Sequence, residues 1–222
     1  MKERPILFNA EMVRAILEGR KTQTRRVMKP QPKERTLTMF WNERSWWKCD
    51  LNVECSPYGK VGDRLWVRET FAQGKLVAGD SIEGSNPPYF IEQMGSDKED
   101  DLVYRADTFK LSDYEVDPEQ PVIWKPSIHM PRWASRINLK ITDIRVERVQ
   151  DIKTDGVWAE GLNKEEYEDW LEDVMCIGVP DGTTYEQPID LFHNLWNFIN
   201  GKRGYGWDEN PWVWVVEFEV IS

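Results

Sequence analysis

The sequence predicts an α+β fold built around a small mixed barrel, and three observations carry that prediction. Strands and helices do not alternate regularly, as a parallel doubly wound sheet would require. The closing stretch WVWVVEFEVI is the strongest β signal in the chain, with Trp212, Trp214, Val216, Phe218 and Val220 on one face. INLKITDIRVERVQ reads as a long strand with apolar Ile137, Leu139 and Ile141, then Ile144 and Val146 after a change of phase. Such a change marks a bulge or bend, which small barrels need in order to curve.

The elements follow in order. RPILFNA (4–10) carries Ile6, Leu7 and Phe8 and predicts a first strand ending at Asn9. Asn9 or Ala10 then starts a helix with Met12, Val13, Ile16 and Leu17 on one face, and Gly19 stops it. KTQTRRVM, with its β-branched residues, leaves as a strand that runs to Pro30. PQPKER is a loop and TLTMFW a further short strand. In GKVGDRLWVRETFA (59–72) a glycine turn delivers a strand with Leu65 and Val67 facing one way and Trp66 and Arg68 the other.

Residues 73–120 are acidic and loop-rich, with one strand at LVYRA, and read as an insertion on a single domain spanning 1–222. WKPSIHMPRWASR (124–136) is irregular and proline-punctuated. After the long strand come a short helix in TDGVWAEGL and a second in NKEEYEDWLEDVM, where Asn163 and Glu166 are spaced as a capping pair. PIDLFHNLWNFING predicts a helix with Leu191, Leu195, Phe198 and Ile199 as its apolar set and Gly201 as its stop.

With 222 residues the chain can bury a real core, and 40% hydrophobic residues with 12 tryptophans exclude a disordered chain. No stretch approaches the ~20 apolar residues of a membrane span, so a soluble cytoplasmic protein is expected, with no membrane partner. Cys49, Cys55 and Cys176 are odd in number and fit a reducing compartment. Cys49 and Cys55 are separated by five residues, wider than a zinc knuckle, so neither a metal site nor a cofactor is expected.

Charge is unevenly placed. The formal net charge is -10, yet residues 1–36 hold ten Lys/Arg against four acids, a net of +6 that leaves -16 on the rest. The densest positive cluster is GRKTQTRR (19–26). A protein that coats duplex DNA is usually basic throughout, because each neutralised phosphate adds counterion release. This distribution points instead to one local anionic or polar ligand.

Several separated motifs resemble one family. GRKTQTR after a helix, the turn and strand GDRLWVRE, the spaced set Val149, Asp151, Ile152, Ala159, Glu160 and Gly161, and the closing WVVEFEVI are similar to the ASCH domain of the PUA-like superfamily. KPSIHMPRWASR and NGKRGYGWDENPWVWV resemble the larger phage and prophage members. The resemblance runs from residue 4 to 221 apart from the insertion. It implies a five- or six-stranded PUA-like barrel with flanking helices and a cleft beside the first helix. It also implies a link to RNA. Small bacterial members that resemble this chain at GRKTxT hydrolyse the acyl amide of acetylcytidine with a lysine, a threonine and a glutamate, which correspond here to Lys21, Thr24 and Glu160.

That chemistry needs a nucleophile, a proton carrier and a stabilised oxyanion. Lys21 serves as a base if burial or neighbouring charge from Arg20 and Arg25 lowers its pKa. Lys21 and Thr24 can meet only if Lys21 belongs to the helix exit and Thr24 to the strand, with Gly19 turning the chain; Thr22, Thr24 and Arg26 then share one face and Gln23 and Arg25 the other. The competing interpretation is structural: basic residues after a helix complement its dipole, and threonines are ordinary strand formers.

Arg20, Arg25 and Arg26 are candidate ligand contacts. So are Lys202, Arg203, Tyr205 and Trp207 on the glycine-flexed loop GKRGYGWD, suited to base stacking with phosphate contact, and His129 and Arg132 in HMPRW. The expected partner is a nucleoside or single-stranded RNA, with a monomer or a dimer both open. Two alternatives stand beside a hydrolase of acylated cytidine: a non-catalytic RNA-binding module, and a ribonuclease.

Overall fold

A computed structural model describes residues 1–32, 38–42, 45–49, 56–73, 75–78, 89–92, 102–107, 123–165, 167–168 and 187–221. The strands are β1 (Glu3–Leu7), β2 (Gln23–Val27), β3 (Thr38–Asn42), β4 (Ser45–Cys49), β5 (Arg64–Arg68), β6 (Phe71–Gln73), β7 (Lys75–Ala78), β8 (Tyr89–Glu92), β9 (Leu102–Tyr104), β10 (Asn138–Arg148) and β11 (Trp212–Ile221). The helices are α1 (Ala10–Leu17), α2 (Thr154–Ala159) and α3 (Pro188–Asn200). Strands and helices mix in irregular order, the α+β class predicted.

The largest sheet runs β1-β5-β10-β11-β2, and three two-stranded sheets pair β3 with β4, β6 with β9 and β7 with β8. The order ends on β1 and β2, and closure into a barrel is not among the pairings of the described residues. The insertion supplies the β7–β8 pair, and its predicted strand at LVYRA is β9, set antiparallel to β6 with Ala72 opposite Val103. The β4 strand opposite β3 has no counterpart in the sequence reading. Cys55, Cys176 and Glu166 lie outside the described residues. No described helix is long and apolar enough to cross a membrane.

The chain divides into two compact units. The first comprises Met1–Lys2, Glu18–Arg64 and Lys140–Glu219; the second comprises Glu3–Leu17, Leu65–Leu139 and Val220–Ser222. In the second unit the Asn9 side chain caps α1 by accepting a hydrogen bond from Met12 N at 2.8 Å, while its carbonyl takes Val13 N. The helix buries Val13, Ala15 and Ile16, and the expected Leu17 stays exposed. A small core of Phe71, Met130 and Ala134 packs with Leu102 and Tyr104.

In the first unit β11 lies between β10 and β2, pairing Val215 with Arg25 and Glu217 with Gln23. Its core gathers Val149, Ile152 and Val157 around α2, Phe192 and Trp196 from α3, and Val213 and Val215 from β11. Two expectations fail here for the same reason. Helix α3 buries Pro188, Phe192, Trp196 and Asn200 rather than Leu191, Leu195, Phe198 and Ile199, and Phe198 is 86% exposed. The two aromatics, four residues apart, offer more area to bury than the leucine row, and Trp196 Nε1 finds Tyr205 O at 2.8 Å. Strand β11 is likewise buried on both faces from Trp212 to Val216, because Val213 and Val215 pack in the core cluster while the alternate residues are covered too. Val220, expected on the apolar face, is exposed. Gly201 caps the end of α3 as expected, though in a right-handed conformation; a 3-10 turn continues through Arg203, and Gly204 at φ 76° takes the left-handed position.

Asn9→Ala is expected to lower the unfolding free energy by about 1 kcal/mol, and Asn9→Asp to keep most of it. Urea denaturation reads both, and an alanine variant as stable as the wild type would show the cap to be idle.

Candidate functional site

The site is assembled by the turn after α1. Gly19, at φ 76°, reverses the chain, and Lys21 then forms an isolated antiparallel bridge with Glu160. Thr22 N donates to Ala159 O at 3.0 Å, and Thr22 O accepts from Phe218 N at 2.9 Å as β2 begins. Residue 21 is thereby fixed against the end of α2, where Glu160 is the C-terminal cap and Gly161 takes φ 94°.

The Lys21 side chain is fully buried at that helix end. Its Nζ donates to Glu160 O at 2.6 Å and to Glu160 Oε2 at 3.0 Å. A cation at the last carbonyls of a helix also meets the negative end of its dipole. Burial pulls the Lys21 amine below its ordinary 10.5, and Arg26 and Arg25 push the same way, while Glu160 opposes them. Burial therefore does what the sequence reading assigned in part to Arg20. Arg20 itself donates to Glu18 and, at 2.6 Å, to Gly161 O.

Glu160 is shared. Its Oε1 accepts from Arg25 Nη1 at 3.1 Å, and Arg25 Nη2 reaches Glu147 Oε2 at 3.1 Å. Of the three Arg25 guanidinium nitrogens, Nε is buried without a hydrogen-bond partner among the described residues. The guanidinium lies against α2 at Gly156, where an added Cβ would sit 3.2 Å from Ile152 Cγ1 and 3.4 Å from Arg25 Nη2. A glycine inside a helix costs about 1 kcal/mol of propensity relative to alanine. Here the tight contact of an added methyl would be with Ile152, while the guanidinium would stay at ordinary contact distance.

Glu147 passes the chain of charges on. Its Oε1 accepts from Arg145 Nε at 2.5 Å; Arg145 also donates to Asp143 at 3.0 Å, to Gln23 Oε1 at 3.0 Å and to Glu217. Burial works against the Arg145 charge, but these carboxylates more than offset it and hold its pKa above the ordinary value. Gln23, Arg25, Arg145, Glu147, Asp155 and Gly156 are among the residues lining a cleft of about 360 Å³, within the range of small-molecule sites.

The remaining candidates are placed as follows. Thr24 is buried opposite Val216 on β2, and strand alternation turns it away from Gln23 and Arg25. Among the described residues no hydrogen bond joins its hydroxyl to Lys21 or Glu160. Arg26 shares that second face. Burial pulls its pKa down, and Tyr58 and Glu160 act against that pull.

Lys202 and Arg203 are exposed on the 3-10 turn after α3, and the Tyr205 ring lies 5.4 Å from Lys29 Nζ. Trp207 packs on Phe192 and His193, and its carbonyl accepts from Gln150 Nε2 at 2.9 Å. His129 and Arg132 belong to the second unit. Both are exposed, and Arg132 pairs with Glu3 at 3.2 Å and lies over the Trp66 ring. Gln23, Arg145, Glu147 and Glu217 were not singled out from the sequence. Their one local trace is the row Asp143, Arg145, Glu147, charged at every second position of β10 with apolar Ile144 and Val146 between.

No family model matches the chain, and no curated protein does. A solved structure described as a high resolution crystal structure of an ASCH domain from Lactobacillus crispatus JV V101 is similar over 99% of this chain and 79% of that chain, at 11% identity and a TM-score of 0.37. A likeness that slight carries neither fold nor function.

Glu160→Ala strands two buried cations, Lys21 and Arg25, and is expected to cost about 3–5 kcal/mol. Adding Lys21→Met should recover part of that loss by removing one stranded charge. Denaturant midpoints test both; a Glu160→Ala protein as stable as the wild type would contradict the shared-carboxylate account.

Proposed function

We propose that the protein is an ASCH-type, nucleoside-directed protein whose working centre is the Lys21–Glu160 pair. What supports this is the meeting of those two side chains, 139 residues apart in sequence, at 3.0 Å. Both are positions that the resemblance to the ASCH domain marks. The proposal includes a closed PUA-like barrel, a single domain over 1–222 with an insertion at 73–120, and kinship with the phage and prophage members.

The activity proposed is removal of an acyl group from the exocyclic amine of a modified cytidine. Neutral Lys21 takes the proton of the Thr24 hydroxyl as its oxygen attacks the acyl carbon. The C–N bond breaks, the cytidine amine takes a proton with help from Glu160, and water then hydrolyses the threonyl ester to release the acid. For this Lys21 turns from Glu160 to Thr24, and the nucleophilic role of Thr24 rests on the resemblance alone.

Cytidine release from N4-acetylcytidine tests the proposal. Lys21→Ala and Thr24→Ala are expected to lose turnover at least about 100-fold, the usual weight of a positioned acid–base group. Because the base form of Lys21 is required and burial holds it below 10.5, turnover should rise with pH and level off before that value. No release across a panel of N4-acylcytidines would sink the hydrolytic reading.

A second reading, a non-catalytic RNA-binding module, draws on Lys29, Lys202, Arg203 and Tyr205 near the end of α3. In that case Lys202→Ala with Arg203→Ala should weaken binding to single-stranded RNA and flatten its salt dependence. Affinity indifferent to both would remove it.

A further inference from the structure

The Lys21–Glu160 pair is buried, yet an unbroken row of alternating charges joins it to the open cleft. Lys21 meets Glu160, Glu160 meets Arg25, Arg25 meets Glu147 and Glu147 meets Arg145, with successive contacts of 3.0, 3.1, 3.1 and 2.5 Å. Side-chain exposure is 0% at Lys21, 6% at Glu160 and 3% at Arg25, then 24% at Glu147 and 34% at Arg145. Glu147 is where the row passes from interior to cleft wall.

Each buried charge in such a row depends on its neighbour. At such separations two unit charges interact strongly even at the effective dielectric of a protein interior. Arg25 divides its guanidinium between Glu160 and Glu147, and its Nε has no partner among the described residues. If Glu147 is lost or engaged elsewhere, Arg25 has Glu160 alone to lean on and competes with Lys21 for it. The positive field of Arg25 already disfavours the charged form of Lys21.

We propose that Glu147 is a positioning residue for the Lys21–Glu160 pair, acting through Arg25, and that the cleft thereby reports its occupant to the pair. A ligand group rich in N–H donors, such as an amine or guanidinium, takes the Glu147 carboxylate and frees Arg25 to draw Glu160 away from Lys21. Phosphate does not: the cleft is lined by Glu147, Asp151, Asp155 and Glu217 against Arg25, Arg145 and Lys153. The inference rests on reading Lys21–Glu160 as the working pair, but it does not require turnover.

The test follows the Lys21 Nζ signal by NMR in protein with labelled lysine, identified through Lys21→Arg and titrated with pH. Glu147→Gln should lower the Lys21 midpoint by roughly half a pH unit or more, because a counter-charge three contacts away is gone. Glu147→Asp keeps the charge with a shorter reach and should lower it less. Glu219→Gln, which removes a surface carboxylate paired with Lys140, should leave it in place. Agmatine should move the signal in the wild type but not in Glu147→Gln, and inorganic phosphate in neither.

A folded Glu147→Gln protein with an unmoved midpoint overturns the inference; if that variant fails to fold, an unmoved Glu147→Asp midpoint does so. Agmatine without effect on the wild type overturns the reporting role of the cleft. A shifted Lys21 signal in a protein that leaves N4-acylcytidines intact keeps the relay and removes the hydrolytic reading.

Discussion

One carboxylate holds the centre of the first unit together. The two oxygens of Glu160 each take a cation from the segment after Gly19, Lys21 on one and Arg25 on the other, and the Glu160 backbone oxygen takes Lys21 again. Unpaired, any of these buried charges would cost several kcal/mol. Paired, they fix the end of α2 against the start of β2, which sets where the cleft opens. The turn at Gly19 serves this contact, since it brings Lys21 to the helix end.

The same contact explains why an acidic chain carries its densest basic cluster at residues 19–26. The cluster is not an exposed positive field. Arg20 is turned to Glu18 and Gly161, Lys21 to Glu160, and Arg25 to Glu160 and Glu147. The charges of Lys21 and Arg25 are matched inside the protein by carboxylates from distant parts of the sequence, and that of Arg20 is matched at the surface by neighbouring Glu18. A phosphate backbone approaching the cleft would meet more carboxylate than free cation, whereas an uncharged polar ligand would find donors and acceptors side by side.

How much of this was legible beforehand depended on range. The helix cap at Asn9, the turn at Gly19 and the alternation of Gln23 and Arg25 against Thr24 and Arg26 are properties of neighbouring residues, and the sequence pattern carries them. The buried face of α3 was misjudged because both a leucine row and an aromatic row fit the helical period, and only packing against Val213 and Val215 decides between them. Glu147 and Glu217 escaped notice because their role depends on β10, β11 and β2 lying side by side. Arg25 and Glu147 are 122 residues apart. Glu160 was found only through a resemblance, since nothing local distinguishes it from a solvated helix residue.

The pairing of β2 with β11 has a consequence for how the chain reaches this state. Residues 24 to 26 read Thr-Arg-Arg, so both faces of β2 carry an arginine, and a slip of one residue against β11 would still look polar on either side. The polar residues of β2 add little of the hydrophobic pattern that fixes a register, so on its side the choice falls to specific contacts. The bond between Arg25 and Glu160 removes the ambiguity: after a slip, Arg25 would point to the wrong face and the carboxylate would be left with Lys21 alone. Glu160 thus acts as a proofreader of strand alignment, rewarding the one pairing in which the cleft exists.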